Sequence, residues 1–436
     1  MARIDGREKR GLRKGQGFDP RLRAWLDEYD SIYADFLAYH RRNGVAFGSV
    51  GKDDAEMASV LRRLKAKGAL FRNGCASVSA NGLSTACEAC TGHPGSKTFF
   101  ISLRCPRNCY FCFNRNQENY ERYLASDRDW LAEFDQIQGE GLTMTHIGLT
   151  GGEPLLDPDK AVGFFEEARR RWPDAHLRLY TSGWGLDAGL LGRLKQAGVN
   201  EIRVSVKLDE GIESCREALT SVGMVAASGE IDAMVEMPVI PGSEDQMKRL
   251  LLDLDAMGAF GVNLLEFCYP LGDWSTFGSR GFKVKNPPFP VLYDWAYAGG
   301  LPIEGSELEC LRLIEFAVDE DLRLSVHYCS LENKHRDQVL TQNSSIEFEH
   351  PCYELDPTDF FFKTCKAYGD DALAARNLLQ RRNLDGWDFD ASDNALSAHP
   401  SLSPLLRSSG IEIAISCNVL EIRGGIAVLR ELALKR

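Results

Sequence analysis

The chain has 436 residues, 44% of them hydrophobic and 26% charged, with a formal net charge of −12 at pH 7. That length exceeds one small domain and predicts two or three units, and the ordinary composition predicts a soluble globular protein. The acidity argues against a protein whose task is gripping phosphate backbones, and no apolar run reaches the length of a membrane span.

The N-terminus is basic (Arg3, Arg7, Lys9, Arg10, Arg13, Lys14) but has no apolar core behind it. Residues 1–16 therefore read as a mobile tail and not as a secretory signal. The 13 cysteines, an odd number and grouped, point to metal or redox chemistry in a reducing cytoplasm. Asp19-Pro20 supplies an N-cap and a proline at the first helical position, and Trp25, Tyr29, Ile32, Tyr33, Phe36 and Leu37 follow at helical spacing to a stop near Gly44. A second helix is predicted from Asp53, with Glu56 completing a capping box and Met57, Leu61 and Leu64 leading to Gly68. This aromatic helix pair reads as packing, with a substrate- or partner-binding module as the alternative.

Residues 69–96 change character. Cys75, Cys87 and Cys90 fall in a Gly/Ser/Thr-rich stretch with little to build a helix or a strand. A second metal site would order it, because ligand bonds can replace a missing apolar core. The expected occupant is an auxiliary [4Fe–4S] cluster. Zinc, with His93 among its ligands, and plain thiols are the alternatives, and the fourth ligand is open among His93, Cys329, Cys352 and Cys365.

From Thr98 onward strand-like runs at 98–103, 144–149, 176–181, 202–208, 231–239, 262–267 and 322–328 alternate with helical patterns, among them 127–138, 158–172, 186–197, 243–257 and 306–319. Repeated β-then-α units predict a parallel sheet covered by helices, with ligands beyond the C-terminal ends of the strands. Cys105-Pro-Arg-Asn-Cys109-Tyr-Phe-Cys112 follows the first of these strands. Three thiolates from one loop suit three corners of a [4Fe–4S] cluster and leave the fourth iron open. A zinc site or a redox pair remains the alternative reading of the spacing. Two further strand ends carry Cys268 and Cys329, which are candidates for contact with the chemistry or else buried small hydrophobes. The Pro- and Gly-rich segment 269–304, with Trp274, Phe277 and Trp295, reads as a substrate-covering loop. The run Glu332–Asp337 reads as a solvated face. A C-terminal helix is expected at 370–382, then strands at 411–416, 419–423 and 426–429, the last two joined at Gly424-Gly425.

The cysteine loop resembles the C-x-x-x-C-x-aromatic-C signature of the radical S-adenosylmethionine (radical SAM) superfamily, with Phe111 at the aromatic position. Gly151-Gly152-Glu153-Pro154 is similar to that family's GGEP motif. Tyr180-Thr181-Ser182-Gly183 and Ile202-Arg203-Val204-Ser205-Val206-Lys207 look like its later strand ends. The resemblance covers roughly residues 97–270 and implies an α/β fold, a partial (β/α)6 TIM-like barrel over 97–330. An N-terminal helical and Cys-rich extension (1–96) and a small α+β C-terminal unit (331–436) would flank it. The resemblance further implies that Cys105, Cys109 and Cys112 bind a [4Fe–4S] cluster whose open iron is chelated by SAM. Glu153 would accept from the SAM ammonium, Gly151 and Gly152 would let the backbone come close, and Phe111, Thr181, Ser182, Ser205 and Lys207 would complete the cofactor site. The implied reaction is reductive cleavage of SAM to a 5′-deoxyadenosyl radical, with electrons from a flavodoxin- or ferredoxin-type donor, followed by hydrogen abstraction from a substrate. A peptide or protein substrate is expected and a small metabolite is the runner-up. An iron–sulfur carrier or sensor is the non-enzymatic alternative, which the GGEP match disfavours.

Overall fold

The middle of the chain builds one sheet from short runs of Val, Ile, Leu and Met. Ile147, Leu149, Leu177, Leu179, Ile202, Val204, Val235, Val262, Leu264 and Val326 are all essentially inaccessible to solvent. The structure, a computed structural model, describes residues 19–209, 211–293 and 300–436. The predicted tail at 1–16 and Trp295 lie outside these residues.

Seven strands run parallel, in the order β3 (Ser96–Phe100), β4 (His146–Thr150), β5 (His176–Thr181), β6 (Glu201–Val204), β7 (Asp232–Val239), β8 (Gly261–Glu266) and β11 (Ser325–Cys329), while β9 (Cys268–Tyr269) and β10 (Leu301–Pro302) form a separate antiparallel pair. Each coincides with one of the seven predicted runs. Beyond β11 the sheet continues with β2 (Ser77–Ala80) and β1 (Leu70–Arg72), both antiparallel to their neighbours. The nine strands end in two separate edges, β1 and β3, so the sheet is open, as a partial barrel requires. The parallel part has seven strands, one more than the expected six.

The hairpin β1–β2 and the short helix Thr85–Ala89 overturn the expectation that residues 69–96 lack regular structure. Ser77, Val78, Ser79 and Ala80 are all buried. Pairing to β11 supplies the ladder that local propensity does not, as β propensity depends on context. Helices Trp130–Gly139, Pro158–Arg171 and Ala188–Gln196 start where Asp129, Asp157 and Asp187 accept from the backbone N–H of Ala132, Lys160 and Leu190 (3.0, 3.4 and 2.8 Å). The helix Asp54–Ala66 buries Met57, Val60 and Leu64, but its predicted capping box is absent. Asp53 makes no side-chain cap bond, and Glu56 instead pairs with Arg312 from the helix Ser306–Asp319.

The chain divides into two units, with Val45–Pro288 and the described residues of Ala296–Lys334 forming the parallel-sheet unit. The division departs from the one expected at 1–96. Helix Pro20–Arg42 belongs with residues 335–436, where Leu22 packs with Ala414 and Leu434 and Tyr29 donates to Glu431 at 3.0 Å. In that second unit the strands Glu354–Leu355, Phe362–Tyr368, Trp387–Asp390, Ala395–Ala398, Ala414–Arg423 and Ile426–Lys435 form an antiparallel sheet, with helix Gly369–Arg381 packed on it. The expected strands 411–416 and 419–423 are one strand interrupted by a register shift at Cys417/Asn418. The turn Gly424-Gly425 uses the left-handed backbone (φ 58° and 81°) that a tight hairpin requires. No helix among the described residues is long and apolar enough to cross a membrane.

An aromatic cluster anchors the first β–α–β unit. Phe134 is fully buried, with Phe99, Trp130, Phe164 and Trp172 centred 5.0–5.4 Å from its ring. Phe134→Ala is expected to destabilise this unit by about 3–5 kcal/mol, the usual cost of emptying a buried aromatic site. Urea unfolding measures it, and a loss below about 1 kcal/mol would show that the cluster is not part of the core.

Candidate functional site: a cavity at the carboxyl ends of the strands

The site begins with a backbone contact between two loops. After β3 the chain turns into the cysteine loop, and after β4 it turns into Gly151-Gly152-Glu153. The Gly152 N–H donates to the Ser102 carbonyl (3.1 Å) and the Glu153 N–H to the Arg104 carbonyl (2.7 Å). A Cβ on Gly152 would stand 1.9 Å from the Arg104 carbonyl oxygen, and one on Gly151, at φ 113°, would meet the Ser102 carbonyl oxygen at 2.6 Å. Only glycine allows this approach. It places Cys105 beside the glycines.

Glu153 then ties these loops to the end of β5. Its carboxylate is buried and accepts four hydrogen bonds, from Thr181 Oγ1 (2.7 Å) and Leu155 N (3.1 Å) on one oxygen, and from Ser182 N (2.7 Å) and Ser182 Oγ (2.6 Å) on the other. A carboxylate has about four acceptor positions. Three of these bonds fasten the turn after β4 to the end of β5. Glu153 is a strut of the site.

Cys105, Cys109, Phe111, Cys112, Gly151, Gly152, Glu153, Thr181, Ser182, Ser205, Lys207 and Cys268 all line one cavity of about 280 Å³. Cys105 is exposed and Cys109 and Cys112 half-buried. The Lys207 ammonium lies against Cys109 Sγ, a placement that favours the thiolate. The loop is held from behind by aromatic packing. Phe111 meets Phe267 at 5.7 Å, Tyr110 meets Phe277 at 5.2 Å, and Arg280 stands over the Tyr110 ring at 4.2 Å. Trp274 and Phe277, expected in a covering loop, are buried, so this part of the segment is a wall.

The cavity is also lined by residues the sequence did not single out: Glu236, Glu266, Leu331 and Lys334. Glu236 accepts from Arg203 (2.6 Å) and Asn263 (2.8 Å). Glu266 accepts from Leu331 N at 2.9 Å with one oxygen, while its Oε1 is buried without a hydrogen-bond partner. Burial, opposed by Lys285, pushes its carboxyl up to about 7. A glutamate at the carboxyl end of a parallel strand was the available signal. Lys334 had no such signal, since the run 332–337 was expected to be solvated. It lies in the helix Leu331–Asn343, where Leu331, Asn333 and His335 are buried. Burial pushes the Cys268 thiol up to about 12, so it stays neutral. Cys329 does not line the cavity. Neither do Cys75, Cys87 and Cys90.

The donor set fits an iron–sulfur cluster with one open iron, because three thiols on one loop face a cavity beside an ammonium group. Glu153→Ala would leave the Thr181 and Ser182 donors without their acceptor and is expected to destabilise the unit by about 1–3 kcal/mol. Unchanged denaturant stability would show that the carboxylate is not a strut. For Glu266 the folded carboxyl near 7 lies above its ordinary 4.5. The stability it contributes is therefore complete below that ordinary value and lost as pH rises through neutrality. Glu266→Gln should match wild type at pH 4.5 and exceed it at pH 8 in urea unfolding. A constant difference across that range would mean that the group does not titrate there.

The radical SAM superfamily profile matches residues 99–210, about a quarter of the chain. A Methanocaldococcus jannaschii protein named "Putative glycyl-radical enzyme activating enzyme" is 27% identical over 265 residues, 57% of this chain and 63% of that protein, so the chain spans less than two thirds of its relative. Among solved structures, Streptococcus suis SuiB bound to precursor peptide SuiA is similar at TM-score 0.39 and 14% identity, over 68% of this chain and 57% of that one. Escherichia coli coproporphyrinogen III oxidase (HemN), a radical SAM enzyme, is similar at TM-score 0.34 and 15% identity, over 55% and 56%. The cysteine loop and the GGEP turn meet at one cavity, and residues 99–210, the stretch that matches the radical SAM superfamily profile, span both.

Proposed function

We propose that this protein is a radical SAM enzyme that abstracts a hydrogen atom from a peptide or protein substrate. The observation that carries the reading is the convergence on one cavity of three thiols, a glycine cradle and a second wall of ionisable side chains. Cys105, Cys109 and Cys112 would hold the [4Fe–4S] cluster, and the Gly151-Gly152 cradle would admit SAM close to the backbone. When bound, cluster and SAM supply the one-electron cleavage that yields a hydrogen-abstracting 5′-deoxyadenosyl radical.

The chain's own residues do the rest. Lys207 balances charge beside Cys109, Phe111 and Phe267 exclude water from one flank, and Glu153 fixes the relative positions of the β4 and β5 ends. Glu266, Cys268 and Lys334 form the side presented to substrate. A protein substrate is supported by the name of the M. jannaschii relative, whose target would be an enzyme. A small metabolite is the second reading, supported by Glu266 and Lys334, both near enough to Cys268 to bear on its ionisation and suited to a small zwitterion. An external donor of flavodoxin or ferredoxin type and a cytoplasmic setting complete the proposal.

Cys109→Ala, reconstituted without oxygen, should remain folded by circular dichroism and form no 5′-deoxyadenosine from SAM under dithionite. Product formation at the wild-type rate would overturn the assignment. Deuterium transfer from labelled candidate substrates into 5′-deoxyadenosine separates the protein from the metabolite reading.

A further inference from the structure

Away from the cavity, four further cysteines of the parallel-sheet unit come together from three segments of the chain. Cys87 and Cys90 sit on and just after the short helix Thr85–Ala89. Arg72 of β1 donates to the carbonyls of Cys87 (3.1 Å) and Glu88 (2.7 Å), and Arg203 of β6 reaches Cys87 Sγ at 3.2 Å, so the helix is tied to two separate strands. Cys75 lies two residues before Ser77, whose register partner is Cys329 at the end of β11. The side chain of Asn73 joins these segments, donating to Thr91 (3.3 Å) and to Asn333 (2.7 Å), and Asn333 in turn reaches Cys329 Sγ at 3.5 Å.

The backbone at Cys75 is held in an uncommon form. Asn73, Gly74 and Cys75 are consecutive left-handed residues, with φ of 49°, 56° and 71°. Two of the three pay a steric cost that the surroundings must enforce. Among the described residues no three His, Cys, Asp or Glu side chains converge on a single-ion site. That disfavours a preformed zinc site, whose ligands must close on one centre about 2.3 Å from each sulfur. It does not disfavour a cubane, which presents a separate iron to each thiolate. The loop Cys105–Cys112 likewise forms no single-ion site.

We propose that Cys75, Cys87, Cys90 and Cys329 are the four ligands of a second [4Fe–4S] cluster. Four protein thiolates would close it, leaving no iron open to an outside ligand, in contrast to the three-cysteine loop. Arg203 would donate to one ligating sulfur, a contact of the kind that tunes cluster potential. None of its four ligands lines the cavity of the proposed reaction.

The test is metal analysis of the full chain carrying Cys105, Cys109 and Cys112 all replaced by Ala, reconstituted anaerobically with iron and sulfide. About four irons and four sulfides per chain are expected in this variant, as one cubane requires. One zinc per chain, or no metal in a protein with the wild-type circular dichroism spectrum, would overturn the proposal without touching the radical SAM assignment. A second measurement guards against misfolding of the triple variant. Wild-type protein should hold about eight irons, and Cys90→Ser/Cys329→Ser about four. An unchanged count in that double variant would remove both residues from the ligand set and overturn the proposal.

Discussion

The site depends on one close approach of backbone to backbone. Two N–H groups of the Gly151–Glu153 turn donate into the carbonyls of Ser102 and Arg104, at a separation no side chain could tolerate on Gly152. This fastens the turn after β4 to the start of the cysteine loop after β3. Glu153 extends the fastening to β5 through Thr181 and Ser182. Hydrogen bonds thus tie three neighbouring strand ends together beneath the cavity that the three thiols line. Rigid support beneath a site is what allows its geometry to be held to within a fraction of an ångström.

The barrel interior is polar, which is unusual for a region with so little access to water. Arg203 is almost wholly buried, yet it is compensated by Glu201 and Glu236. Burial alone would raise the Glu201 carboxyl, but the guanidinium and the donors His176 and Ser84 hold it well below the usual carboxylate range. His327, whose Nε2 lies 2.9 Å from Ser77 Oγ, is driven down to about 3 by burial and then by Arg203, so it stays neutral. The buried Arg203 thus bears on the protonation of both neighbours. Removing any one partner would leave a buried charge unpaired, which costs more than the pair contributes. Glu236 connects this interior to the cavity, since it both accepts from Arg203 and lines the pocket.

The two sides of the cavity differ in electrostatic character. On one side the thiols and Lys207 make a place for metal and for charge. On the other, Glu266 sits where burial outweighs the nearby Lys285, so that it titrates near neutrality. Groups poised in this way collect where protons or charged substrates are handled. Tyr110, Phe111 and Phe267 pack with Phe277 of the Pro- and Gly-rich segment into one aromatic cluster beside the cavity.

Much of this was legible in the chain itself. The seven parallel strands follow from short apolar runs at β–α intervals, because burial on both faces demands them. The spacing of Cys105, Cys109 and Cys112 and the paired glycines at 151 and 152 are local features, set by what one loop can present and by what a missing Cβ permits. What the sequence could not decide is anything that depends on a partner far along the chain. The hairpin β1–β2 exists because β11 pairs with it, some 250 residues later. Glu153 is legible as a loop residue after β4, but its partners Thr181 and Ser182 come from the end of the next strand. The raised carboxyl of Glu266 and the place of Lys334 at the cavity follow from the packing around the strand ends. Local sterics and periodicity are written in neighbouring residues; burial and charge are properties of the assembled neighbourhood, and only the tertiary structure assembles it.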